Sequence, residues 1–134
     1  DQFQMDQVLR DLLKESNAKT AILVDQAGFL FSQQGFSQEL DVESMAVLAA
    51  NSFASTRALA GLVGEEEFTM LFHQGKKDNI HISVVGDDNI LIIIFENSTT
   101  IGMVRLCAKE TGEKLIPIIN NIQKRSIDKI DRRY

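Results

Sequence analysis

Residues 41–62, DVESMAVLAANSFASTRALAGL, constrain the fold more than any other stretch. They contain no proline, and their single glycine, Gly61, sits at the far end. As a helix the stretch makes roughly six turns, about 33 Å at ~1.5 Å per residue. At about 100° per residue, Val42, Met45, Ala46, Ala49, Phe53 and Ala60 gather on one side, and Val47, Leu48, Ala54, Ala58, Leu59 and Leu62 occupy much of the rest. A surface helix normally carries one apolar stripe and one charged face. Here the charged residues inside the helix are Glu43 and Arg57, and the polar ones are mostly small: Ser44, Asn51, Ser52, Ser55 and Thr56. Such a helix needs cover on two sides. Its own sheet can supply one. In a chain of 134 residues the second is expected to be another molecule.

The rest of the chain supplies that sheet. Phe3, Met5, Val8, Leu9, Leu12 and Leu13 recur at helical spacing over residues 3–15, with Asn17 as a stop. Two short apolar runs, 19–25 and 29–33, flank Gln26-Ala27-Gly28 and read as a hairpin. Asp41 is placed to cap the long helix, which should end near Gly61 or Gly64. Residues 67–73 alternate Phe68, Met70 and Phe72 with Glu67, Thr69, Leu71 and His73, a strand period. Ile80, Ile82 and Val84 alternate with His81 and Ser83 in the next strand. Ile90 to Phe95 is apolar on both faces, which predicts a central strand. Ile101, Val104, Ala108, Thr111, Leu115, Ile118 and Ile122 mark a last helix, capped by Ser98 or Thr99 and expected to bend or restart at Pro117. The order helix, two strands, long helix, three strands, helix indicates an α+β protein with an antiparallel sheet layered by helices. Residues 1–123 form its domain. The basic stretch 124–134 reads equally as a helical extension or an unstructured tail.

Chemistry is sparse. There is no phosphate-cradling glycine loop and no nucleophile paired with a base, so neither an enzyme nor a cofactor is expected. His73 and His81 lack a third ligand at metal spacing and read as ordinary strand-surface residues. Cys107 reads as a packing residue, Glu65-Glu66-Glu67 as a solvated approach to a strand, and Asp87-Asp88-Asn89 as a turn. A net charge of −5 argues against nucleic acid or an anionic membrane as partner. No apolar run reaches the ~18 residues of a membrane span. No signal peptide is seen, and a single cysteine fits a reducing cytoplasm. Arg57 and Arg105 are charges of the kind that can stabilise phosphoryl transfer in a GTPase; a salt bridge or a solvated head is the simpler reading of each.

Three stretches carry a resemblance: ILVDQAGFLFSQQG (22–35), GEEEFTMLFHQGKKDNIHISVVGDD (64–88) and LIIIFENSTTIGMVRL (91–106). With their motifs VD-x-x-G and F-E-N-x-T-x-x-G-x-V-R, they resemble the Roadblock/dynein-light-chain superfamily, and within it the MglB-like polarity regulators. The resemblance spans about residues 10–122. It implies a five-stranded antiparallel sheet between one long helix and two terminal helices. It also implies a homodimer, in which the long helices pair across a two-fold axis and the sheets join through the strand at 67–73. The implied dimer interface takes in Met45, Ala49, Ser52, Thr56, Phe68, Met70 and Phe72.

The resemblance further implies a partner, a small Ras-like GTPase of MglA type. Its hydrolysis would be accelerated by repositioning its own catalytic groups rather than by an arginine finger. The implied docking surface on the paired helices comprises Ala46, Ala49, Ala50, Phe53, Arg57 and Ala60, and the basic tail resembles a second contact. The alternative is a Roadblock-type scaffold that binds a paralogue or another regulator without changing hydrolysis. A ligand-sensing domain is a third reading. It would require an internal cavity with converging polar groups, against which the apolar core positions argue.

Overall fold

The computed structural model describes residues 1–35, 40–65 and 69–131, with side chains described through residue 124. Its elements are α1 (Gln2–Ser16), β1 (Thr20–Asp25), β2 (Leu30–Gly35), α2 (Val42–Leu62), β3 (Met70–Gln74), β4 (Asp78–Val85), β5 (Asn89–Glu96) and α3 (Ile101–Asp131). Five antiparallel strands in the order β2-β1-β5-β4-β3 make one sheet. The long helix α2 covers one face, and α1 and α3 cover the other. This is the α+β arrangement expected from the sequence.

Local chemistry explains each boundary. The Asp1 carboxylate accepts the Gln4 backbone N–H while the Gln4 side chain answers the Asp1 amine, a capping box. Asn17, at φ 58°, closes α1 in the left-handed region that its short amide side chain tolerates. Met5, Leu9 and Leu12 point to the sheet, but Phe3 is 72% exposed. At about 100° per residue Phe3 lies across the helix from them. Asp41 caps α2 by accepting the Ser44 N–H at 3.1 Å. The far end closes as a Schellman turn: Glu65 N–H donates to Ala60 O, Gly64 N–H to Gly61 O, and Gly64 takes φ +87°.

β5 lies at the centre of the sheet, and every residue from Asn89 to Phe95 is buried. Strand alternation then sorts the core. Ile22, Val24, Ile82, Ile90 and Ile92 face α2, whereas Ala21, Leu23, Val85, Leu91, Ile93 and Phe95 face α1 and α3. One expectation fails here. His81 is not a surface residue but 1% exposed on the α1/α3 face. β4 is flanked by β3 and β5 and roofed on both sides, so its polar parity is interior. His73, one strand over, remains exposed on the opposite face.

α3 is capped by Thr100 rather than by Ser98 or Thr99, its hydroxyl accepting the Met103 N–H at 3.2 Å. Thr99 instead donates to Asn17 O and ties the end of α1 to the start of α3. α3 is one continuous element through Pro117, with no restart, and continues to Asp131. Phe68 and the rest of 66–68, like 132–134, lie outside the described residues. Among the described residues no helix is long and apolar enough to cross a membrane.

Candidate functional site

The face of α2 turned away from the sheet carries several exposed apolar side chains. Ala46, Ala49, Ala50 and Phe53 are buried against β1, β4 and β5. Leu48, Leu59, Leu62 and Val63 are exposed, Leu48 by 64% and Leu62 by 84%. The division has a physical reason. Ala46, Ala49 and Ala50 let the helix approach the sheet closely around Phe53, and Leu48, Leu59 and Leu62 are left outside.

Burial divides the expected docking set. The side chains of Ala46, Ala49, Ala50 and Phe53 are buried in the core within the protomer. Arg57 is exposed and Ala60 half-exposed. Arg57 lies over the Phe53 ring, 5.0 Å from guanidinium carbon to centroid, within cation–π range. Among the described residues no ion pair engages Arg57, so its charge faces solvent. The helical wheel put Leu48, Leu59 and Leu62 on a second apolar side without marking that side as the outer one.

Beside α2 the sheet is incompletely covered. Met45, Leu48, Ala49 and Ser52 face His73, Ile80, Ile82 and Ile92 across a groove of about 220 Å³. Three residues of the expected dimer interface, Met45, Ala49 and Ser52, line this groove. Thr56, half-buried on the next turn, donates its hydroxyl to Ser52 O. Met70 and Phe72 sit on β3, an edge of the sheet, with side chains turned to the α3 side, where Phe72 stacks on Phe95 at 6.0 Å.

The two sheet edges differ. At β2 a bulge leaves Phe31 as the extra residue, and its carbonyl accepts from Gln2 Nε2 at 2.8 Å. Ser32 donates to the Asp6 carboxylate, which holds that acid below its ordinary pKa. A bulged edge tied to a helix resists strand addition. Met70–Gln74 has no bulge against β4.

The motif residues mostly build turns. Asp25 accepts from Ala27 and Phe29 N–H at 2.9 Å each, and Gly28 at φ +91° brings that hairpin loop against Val47 of α2. Asn97 donates to Lys76 O and accepts from Asn79, bracing the β3–β4 turn. Val104 is fully buried. Arg105 is the exception: it is exposed on α3 and braces nothing among the described residues. Cys107 is buried beside Met103, and burial pushes its thiol pKa up, as suits a packing residue. No group of three acidic, histidine or cysteine side chains among the described residues is placed to hold a metal.

A sequence profile of the Roadblock/LC7 domain matches residues 4–95. The chain is similar to Myxococcus xanthus MglB, with 38% identity and a TM-score of 0.85 over 90% of this chain and 91% of that one. It is also similar to the gliding protein MglB of Thermus thermophilus, with 29% identity and a TM-score of 0.82 over 89% and 90%. An MglB with a tetrameric arrangement matches at 29% identity and a TM-score of 0.84 over 89% and 90%.

Proposed function

The chain belongs to the Roadblock/LC7 family, and on that premise we propose that it is a non-enzymatic, self-associating regulator of a small Ras-like GTPase. The observation that carries this reading is the 38% identity to Myxococcus xanthus MglB over nine-tenths of both chains. In this reading it works in the cytoplasm, in bacterial polarity or motility. It raises hydrolysis by an MglA-type GTPase by repositioning that protein's own catalytic groups.

The surfaces are assigned by exposure. Self-association uses the groove beside α2, around Met45, Leu48, Ser52 and Thr56, together with the open edge of β3. A second α2 laid in that groove would cover Leu48 and Leu59. The strip left outside, Val47, Asn51, Ala54 and Ala58 with Arg57 at its margin, is then the face offered to the GTPase. Small side chains there permit close backbone approach, and Arg57 adds one charge for register.

Single-turnover hydrolysis of GTP by the MglA-type GTPase of the same genome tests the reading. Adding this protein should raise the rate. A stable complex with unchanged turnover would assign it instead to the scaffold class.

A further inference from the structure

On the face of the sheet opposite α2, a cleft of about 380 Å³ runs between α3 and the β3–β4 end of the sheet. Its floor includes His81, and its walls include Arg105, Lys109, Glu113, Met70 and Ile116. That volume is in the range of ligand-sized pockets. Two features set it apart from an ordinary packing defect.

The first is His81. The ring is 1% exposed, yet among the described residues neither Nδ1 nor Nε2 has a hydrogen-bond partner. A neutral imidazole always carries one N–H donor and one bare nitrogen acceptor, and buried polar groups are nearly always paired. The second is charge. Arg105 and Lys109 both line the cleft, and among the described residues no ion pair engages either. Among the described residues Glu113 is the one acid on the same walls. In a chain of net charge −5 this is a local cationic site. Arg105 is close enough to the imidazole to add to the effect of burial in disfavouring its protonation. An anion would relieve both groups at once.

We propose that this cleft receives an acidic side chain of a partner protein, its carboxylate paired with Arg105 and Lys109 over the His81 imidazole and its aliphatic stem against Met70 and Ile116. The apolar flanks favour a side chain over a bare ion. The lining runs from Arg105 to Ile116, about 16 Å of helix at ~1.5 Å per residue, a length suited to a peptide segment. Gly112 keeps the α3 wall low, with Val85 Cγ2, at 3.8 Å, the one described atom in reach of a Cβ built there. The site lies on the opposite face from the α2 surface and does not rest on the GTPase reading.

The test is a titration of the full chain, at low salt, with the blocked peptide Ac-Gly-Glu-Leu-Gly-NH2. The readout is NMR of the histidine ring nitrogens. The chain has two histidines, so a His73→Gln variant assigns them, and His73 on the other face serves as an internal control. The His81 resonances should move while those of His73 stay. The glutamine counterpart of the peptide should bind about tenfold more weakly, the scale of a lost charge-assisted contact. Arg105→Gln should produce a similar loss with melting temperature and sedimentation unchanged. An unmoved His81 at millimolar peptide would overturn the proposal, as would equal responses to the two peptides. A response to free glutarate as strong as to the peptide would replace the protein partner with a small carboxylate and overturn it in that form.

Discussion

Arg57 sits one turn after Phe53 on α2 with its guanidinium carbon 5.0 Å from the centre of the Phe53 ring. The ring is core, 3% exposed, and the cation above it is solvent-facing. The two largest side chains in the expected docking set therefore have different jobs, and the structure separates them.

Phe53→Ala should cost about 3–5 kcal/mol, the usual loss for emptying a buried aromatic site. Arg57→Ala should cost no more than about 1 kcal/mol, the scale of an exposed cation–π contact. Urea denaturation of the two variants checks both. Comparable losses would mean that Phe53 is not packed as described. Docking tests accordingly belong on Arg57.

Gly28→Ala should destabilise by about 1–3 kcal/mol, the scale of a non-glycine residue held at positive φ. Gly28 has φ +91°, and an added Cβ would lie 3.0 Å from Val47 Cγ2 and 3.1 Å from Val47 Cα. Trimming Val47 to Ala removes the first clash but not the second, nor the strain. The double variant should therefore recover little in thermal melts.

Acid should weaken the fold through His81. Burial, with Arg105 adding to it, lowers its pKa from 6.5 to about 4. The unfolded chain thus takes up the proton before the folded one does. The stability held by the neutral ring is complete above pH 6.5, falls as pH drops from there toward 4, and levels off below that. The total loss is about 3 kcal/mol at ~1.4 kcal/mol per pKa unit. Stability measured across this window should lose that slope in His81→Phe.

Leu48→Glu with Leu59→Glu should give a folded monomer. Both side chains are exposed in the protomer, so the changes cost little in the fold, while like charges brought together across a two-fold axis oppose association. Sedimentation velocity read beside circular dichroism checks the outcome. An unchanged oligomer would move the self-association surface off α2.

Much of the fold was legible because its signals are local. Asp41 as a cap, Asn17 as a stop and the glycine-closed end of α2 depend on a few neighbouring residues, and the period-two runs name the strands. The all-apolar run Ile90 to Phe95 even placed its strand at the centre. Non-local features were not legible in the same way. Strand parity puts His81 opposite Ile80 and Ile82, but whether that face is wet depends on what roofs β4, and α3 lies far along the chain. The cap of α3 is Thr100, while Thr99 makes a tertiary contact with the carbonyl of Asn17.

α2 shows the same limit most clearly. Composition required that a helix with two apolar faces be covered twice, and that followed from residues 41–62 directly. Which face met the sheet did not, because no charged stripe marks an outside. Close packing decided it. The alanine side could approach β1, β4 and β5 and bury Phe53 among them, leaving Leu48, Leu59 and Leu62 outside. A periodic sequence sets how many faces a helix must bury; the shape of the surface it lands on selects the face.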